Sequence, residues 1–172
     1  RHIKDYRQAW QAVRGADHRA VGLVVDSFHS FAAQADLDHL RHIPGARIFL
    51  THLADAEAIH SDLLEQGRHF TNFPGQGELP LLAFMEGLQA SGFDGPLSLE
   101  IFNDQVRAGS ARSTAVDGRR SLLFLLDRLR KRTPGAPASL PVLPPRCKCL
   151  GTEFIEFGID EGRVLEFEKV LR

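Results

Sequence analysis

The sequence predicts an α/β fold: the C-terminal half of a (β/α)8 barrel, about four βα units, followed by a Pro-rich linker and a truncated α+β segment. Three observations predict it. First, three short apolar runs each end in a residue able to bind a divalent metal: Val21-Gly22-Leu23-Val24-Val25 into Asp26, Arg47-Ile48-Phe49-Leu50-Thr51 into His52, and Gly95-Pro96-Leu97-Ser98-Leu99 into Glu100. Unbroken runs of this kind are the pattern of strands buried on both faces. Second, segments of helical periodicity separate the runs, as a parallel sheet requires. Third, the spacings suit a barrel. Asp26 to His52 is 26 residues, one unit, and His52 to Glu100 is 48, two units. A full barrel takes about 250 residues, so a chain of 172 that also carries a tail holds about half of one.

The elements follow in order. Ile3, Tyr6, Trp10 and Val13 form the stripe of an amphipathic helix, with Asp5 as its N-cap. The first strand is Val21–Asp26. Leu37, Leu40 and Ile43 mark a short helix that Pro44-Gly45 stops. The second strand is Arg47–His52. Glu57 to Gln66 reads as a helix with Ile59, Leu63 and Leu64 on its apolar side, and Arg68–Phe73 is a weaker strand ended by Pro74-Gly75. Leu81, Phe84, Met85 and Leu88 define a helix ending near Gly92. Pro96–Ile101 is the last strand, and Leu122, Leu125, Leu126 and Leu129 line a long final helix. Parallel strands present their C-terminal ends to one face, so Asp26, His52 and Glu100 are expected to share a rim.

Three domain segments are expected: 1–132 as the half barrel, 133–145 as the linker and 146–172 as the start of a second, truncated domain. Thr133–Pro145 holds five of the nine prolines and is expected to be extended. Beyond it, Glu153–Asp160 alternates like a strand and Arg163–Arg172 is helical. About 27 residues cannot bury a core of their own. The chain begins with Arg and enters a helix at once, so an amino-terminal part is expected to be missing.

Composition narrows the function. The chain is 43% hydrophobic and 25% charged with a net charge of −1, so it offers no surface for nucleic acid or acidic membrane. Arg128, Arg130, Lys131 and Arg132 end the last helix, where they complement its dipole. No run approaches the ~20 apolar residues of a membrane span and no signal peptide is visible. Cys147 and Cys149 lack the second ligand pair of a zinc module, and reduced thiols in a cytoplasmic protein are expected.

Several residues carry chemistry. Asp26 is able to hold a cation while His29, three residues on, transfers a proton; the plainer reading is an Asp cap and a loop histidine. His52 suits zinc, manganese or cobalt, or is a satisfied histidine at a strand edge. Asp55 either orients His52 or caps the next helix. Glu100 stands inside an apolar strand, where a carboxylate is costly unless paired or metal-bound. Arg68 and His69 precede the Gly75-Gln76-Gly77 loop. That loop's backbone suits an anion, and Arg68 suits a substrate carboxylate, if the loop is more than a helix start.

The strings GLVVDSFHSFA, IFLTHLADA, RHFTNFPGQGELPL and GPLSLEIFND, in this order, resemble the bacterial 3-dehydroshikimate dehydratases. Their barrel belongs to the xylose isomerase-like, or sugar phosphate isomerase/epimerase, TIM-barrel superfamily. GTEFIEFGIDEG, after the prolines, resembles the entry to a 4-hydroxyphenylpyruvate dioxygenase-like domain of the vicinal-oxygen-chelate type. The resemblance implies one divalent cation (Mg, Mn or Co) held by Asp26, His52 and Glu100, with a further Glu on an earlier strand. It implies 3-dehydroshikimate as the substrate, dehydrated to protocatechuate, and His29 as the active-site histidine; His29 is then the candidate catalytic base, and Arg68 and His69 are the candidate substrate-binding residues. His52 stands where many members carry Gln, and Thr71 lies near where they carry a basic residue. The alternatives are a sugar phosphate or inositol isomerase or epimerase on the same barrel, or an inactive half-barrel fragment whose open edges need a homo-oligomer or the missing segment. A dioxygenase iron site needs more length than the tail has.

Overall fold

The computed structural model describes residues 3, 5–57, 63–134, 139–145, 148 and 150–171. Helix α1 (Tyr6–Ala16) leads into strand β1 (Leu23–Asp26), which passes directly into α2 (Ser27–Ala32). Two 3-10 turns, Leu37–His42 and Gly45–Arg47, precede β2 (Ile48–Leu53). Helices α3 (Leu63–His69) and α4 (Leu81–Ala90) lie between β2 and β3 (Leu97–Leu99). Then come α5 (Asp104–Ala108), α6 (Ala111–Arg132) and, after a 3-10 turn at Glu161–Arg163, α7 (Val164–Leu171).

Local chemistry explains the boundaries. The Asp5 carboxylate accepts from the Arg7 and Gln8 amides and starts α1 as an N-cap, and Asn103 and Ser110 do the same for α5 and α6. The expected helix at Leu37–Ile43 is a 3-10 turn capped by Asp36 and ended before Pro44.

The three strands form a parallel sheet in the order β1-β2-β3, with Asp26 level with His52 and His52 level with Ser98. The register slips between Leu23 and Val24, which leaves Phe49 without a partner and keeps both Leu23 and Ile48 on the same buried side. On that side Val25, Leu53, Leu97 and Leu99 meet Phe84 and Leu88 of α4, Leu125 and Leu129 of α6, and Tyr6 and Val13 of α1. The opposite side, which carries Val24, Leu50 and Ser98 below Asp26, His52 and Glu100, is not covered: Val24 is 54% exposed. Burial on both faces, expected from the unbroken apolar runs, is therefore met on one face only among the described residues.

Two expected strands are absent. Arg68–Phe73 does not join the sheet, so the sheet has three strands where four units were expected, and β2 pairs with β3 directly. Helix α3 runs on through His69. After it, Thr71 and Phe73 are buried and Phe70 is 56% exposed, so the strand-like alternation is real. Single antiparallel bridges, Phe70 to Asn103 and Asp55 to Asn72, satisfy it without a ladder. Residues 58–62 of the expected Glu57–Gln66 helix, Ile59 among them, lie outside the described residues, as do Cys147 and Cys149. Glu153–Asp160 has no ladder partner and is exposed throughout, because a strand needs a neighbour to form. Helix α7 matches the expected Arg163–Arg172 helix as far as Leu171.

After α6, Leu140 packs on the core and the Leu143 amide donates to Asp127 Oδ1 at 3.1 Å. Asp127 is buried on α6 and also accepts from Lys131 Nζ at 2.5 Å. The Lys131 ammonium holds the Asp127 carboxyl below its ordinary range.

Candidate metal centre

Three strand ends bring Asp26, His52 and Glu100 together. One atom from each, a carboxylate oxygen or an imidazole nitrogen, lies within 4.8 Å of the other two. Asp26 is the last residue of β1 and does two things. Its Oδ1 caps α2 by accepting from the His29 amide at 2.8 Å, and its Oδ2 faces His52 Nδ1 at 3.9 Å. His52 Nδ1 also meets Glu100 Oε2. Glu100 continues the β3 ladder by donating its amide to Leu53 O at 3.1 Å. Burial pushes the Asp26 carboxyl above its ordinary range. The His29 amide and the His29 and His52 side chains oppose that shift, and the Glu100 charge adds to it.

The donor set fits a divalent cation. Ligand atoms about 2.1 Å from a common ion lie roughly 3–4 Å apart, close to the spread seen here. Two carboxylates with one neutral imidazole suit manganese, cobalt or zinc.

The other expected residues divide. His29 is exposed in the first turn of α2 and stands edge-on to Phe28 at 5.6 Å. With Asp26 it borders a cavity of about 530 Å³ whose apolar wall includes Tyr6, Val24, Phe28 and Leu63. His69 lines a different cavity of about 610 Å³ with Glu57, Glu65, Asn72 and Asn103, and its Nδ1 lies 2.9 Å from Asp104 Oδ2. Arg68 is exposed and lines neither cavity. The structure thus brings the three ligand candidates together with His29 beside them, while His69 pairs with Asp104 in a separate cavity.

The glycine loop packs against a carboxyl group of its own chain. Asp55, 1% exposed, accepts from the amides of Gly75 at 2.8 Å, Leu79 at 3.1 Å and Ala56 at 2.9 Å, and among the described residues has no bond to His52. Gly75 adopts φ 88, and a Cβ on Gly77 would lie 2.2 Å from Ala56 O, so both positions require glycine. Sequence reasoning missed two buried hydroxyls beside the ligands. Ser27 Oγ donates to Ala54 O and accepts from the Ala54 amide, and Thr71 Oγ1 does the same with Phe102. Their only sequence signal is adjacency: Ser27 follows Asp26 directly.

Residues 1–125 match the xylose isomerase-like TIM barrel family. The chain belongs to that family. It is 46% identical over 167 residues to a 3-dehydroshikimate dehydratase of Pseudomonas putida, and 45% identical over 166 residues to one of Pseudomonas aeruginosa. Each match takes in 94% of this chain and 26% of the relative, so the chain spans about a quarter of the length of these relatives. An inosose isomerase of Bacillus subtilis is 31% identical over 103 residues, 60% of this chain and 36% of that one. Among solved structures, a xylose isomerase-like TIM barrel/4-hydroxyphenylpyruvate dioxygenase fusion protein superposes with a TM-score of 0.81 at 43% identity, covering 99% of this chain and 28% of that chain. The IOLI protein with a binding zinc atom superposes at 0.68 with 26% identity, covering 74% and 45%.

Proposed function

We propose that this chain is part of a longer, metal-dependent enzyme that dehydrates 3-dehydroshikimate to protocatechuate. The observation that carries the reading is the convergence of Asp26, His52 and Glu100 on one rim. The substrate follows from the two dehydratase relatives, whose similarity runs through all three ligand-bearing segments; the inosose isomerase likeness is weaker and shorter. On this reading residues 1–132 are the C-terminal half of the barrel, 133–145 the linker and 146–172 the start of a dioxygenase-like domain. The open sheet face, with Val24 and Leu50 uncovered on the side of the ligands, supports the half barrel. No helix among the described residues is long and apolar enough to cross a membrane, in keeping with a cytoplasmic enzyme of a small molecule.

Asp26, His52 and Glu100 hold the cation, which when bound supplies Lewis-acid polarisation of the substrate's ring ketone. His29 takes the proton from the carbon next to that ketone. The hydroxyl one carbon further leaves with a proton as water, and enolisation of the remaining ketone gives the aromatic ring. Arg68 and His69, in the last turn of α3, bind the substrate carboxylate only if that end of the helix turns toward the ligands.

The test is conversion of 3-dehydroshikimate by the full-length protein, followed by ultraviolet absorbance of the aromatic product before and after chelation. Metal-dependent product formation is expected, and His29→Ala lowers kcat by roughly 10²-fold. An enzyme that interconverts inososes and leaves 3-dehydroshikimate untouched overturns the assignment in favour of an isomerase.

A further inference from the structure

We propose that Ser27 and Thr71 are positioning residues for the metal centre. Each supplies a rung that the backbone ladder lacks just beyond a ligand-bearing strand end. The inference rests on reading Asp26, His52 and Glu100 as a metal centre.

Pairing of β1 with β2 ends at Asp26 and His52, because the chain turns into α2 at Ser27. Ala54, two residues past His52, is 1% exposed and would be left with an unpaired amide and carbonyl. Ser27 satisfies both. Its hydroxyl donates to Ala54 O at 2.8 Å and accepts from the Ala54 amide at 3.0 Å. Thr71 repeats the device two residues past Glu100. Its hydroxyl accepts from the Phe102 amide at 2.7 Å and donates to Phe102 O at 3.2 Å, while the Thr71 amide also donates to Phe102 O at 3.1 Å.

Both hydroxyls are buried, Ser27 at 0% and Thr71 at 2% exposed. The single proton of each is committed to a carbonyl, so neither is poised as a nucleophile. The first clamp ties the ends of β1 and β2 together next to Asp26 and His52. The second fixes the segment beyond β3 next to Glu100. A ligand atom moved by a few tenths of an ångström costs metal affinity, and groups that orient ligands are worth 10- to 100-fold.

The test is Co2+ titration of the full-length protein, reading affinity and the visible spectrum of the bound ion, with Tm measured alongside. Ser27→Ala and Thr71→Val are expected to weaken Co2+ binding by roughly tenfold or more and to alter the spectrum. Thr71→Ser, which keeps the hydroxyl, retains both. Should Ser27→Ala not fold, the Thr71 pair decides the matter. Folded variants with unchanged affinity and spectrum, even at a lower Tm, reduce the hydroxyls to structural groups and overturn the proposal while the metal centre stands. A wild-type protein that binds no Co2+ overturns both.

Discussion

The two faces of the sheet are made of similar residues and have opposite environments. On one, Val25 and Leu53 are fully buried under α1, α4 and α6. On the other, Val24 is more than half exposed, Leu50 and Ser98 are partly so, and the three candidate ligands cluster at the rim. The covered face holds the fold together. The open face carries the candidate ligands at its rim and is expected to contribute little to the stability of this chain. A strand written for burial on both faces needs two sets of neighbours, and the described residues supply one.

Core truncation tests this contrast most strongly. Leu53→Ala on the covered face is expected to cost about 3 kcal/mol, and Val24→Ala on the open face less than about 0.5 kcal/mol, both read by chemical denaturation. Equal losses would mean that the open face is packed against something in solution. Next, Glu100→Gln should weaken divalent metal binding by roughly 100-fold with little change in stability, checked by titration and thermal melting together.

The pH dependence of the rim gives a third handle. On the proposed reading the metal needs the Asp26 carboxylate, and burial raises the pKa of that carboxyl. Metal affinity is therefore expected to fall, by up to about tenfold per pH unit, as pH drops below the raised value. Without metal the sign reverses. The folded state holds the Asp26 proton more tightly than the unfolded one, so stability is lost as pH rises from the ordinary Asp value through the raised one. Asp26→Asn should consequently stabilise the metal-free protein at neutral pH while removing metal binding.

The smallest effect belongs to the covered side. The Lys131-paired Asp127 has a lowered pKa, so its contribution is present above the ordinary Asp value and lost as pH falls through the lowered one. Asp127→Asn should flatten stability below about pH 4 and make 139–145 easier to cleave in limited proteolysis, since Leu143 loses its acceptor.

Much of this was legible in the chain. The apolar runs into Asp26, His52 and Glu100 gave the strands and their shared end, because a buried strand and a polar terminus leave a strong local signal. Arg68–Phe73 was misread, because alternation reports which side chains are buried and says nothing of whether the backbone finds a ladder. The glycine loop was expected to suit an anion or to be a plain helix start; that the Asp55 carboxyl accepts from Gly75 and Leu79 depends on residues 20 or more apart in sequence.

The sequence by itself determined β1, β2 and β3, the helices α1, α4 and α6, the Asp5 cap and the donors at the strand ends, since each depends on neighbours within a few residues. Only the tertiary structure decided which face of the sheet is covered, that Asp55 accepts from Gly75, that His69 pairs with Asp104, and that Ser27 and Thr71 bond the backbone just beyond the ligand-bearing strand ends. Those outcomes depend on contacts between distant segments, where geometry chooses among partners that the local pattern leaves equal.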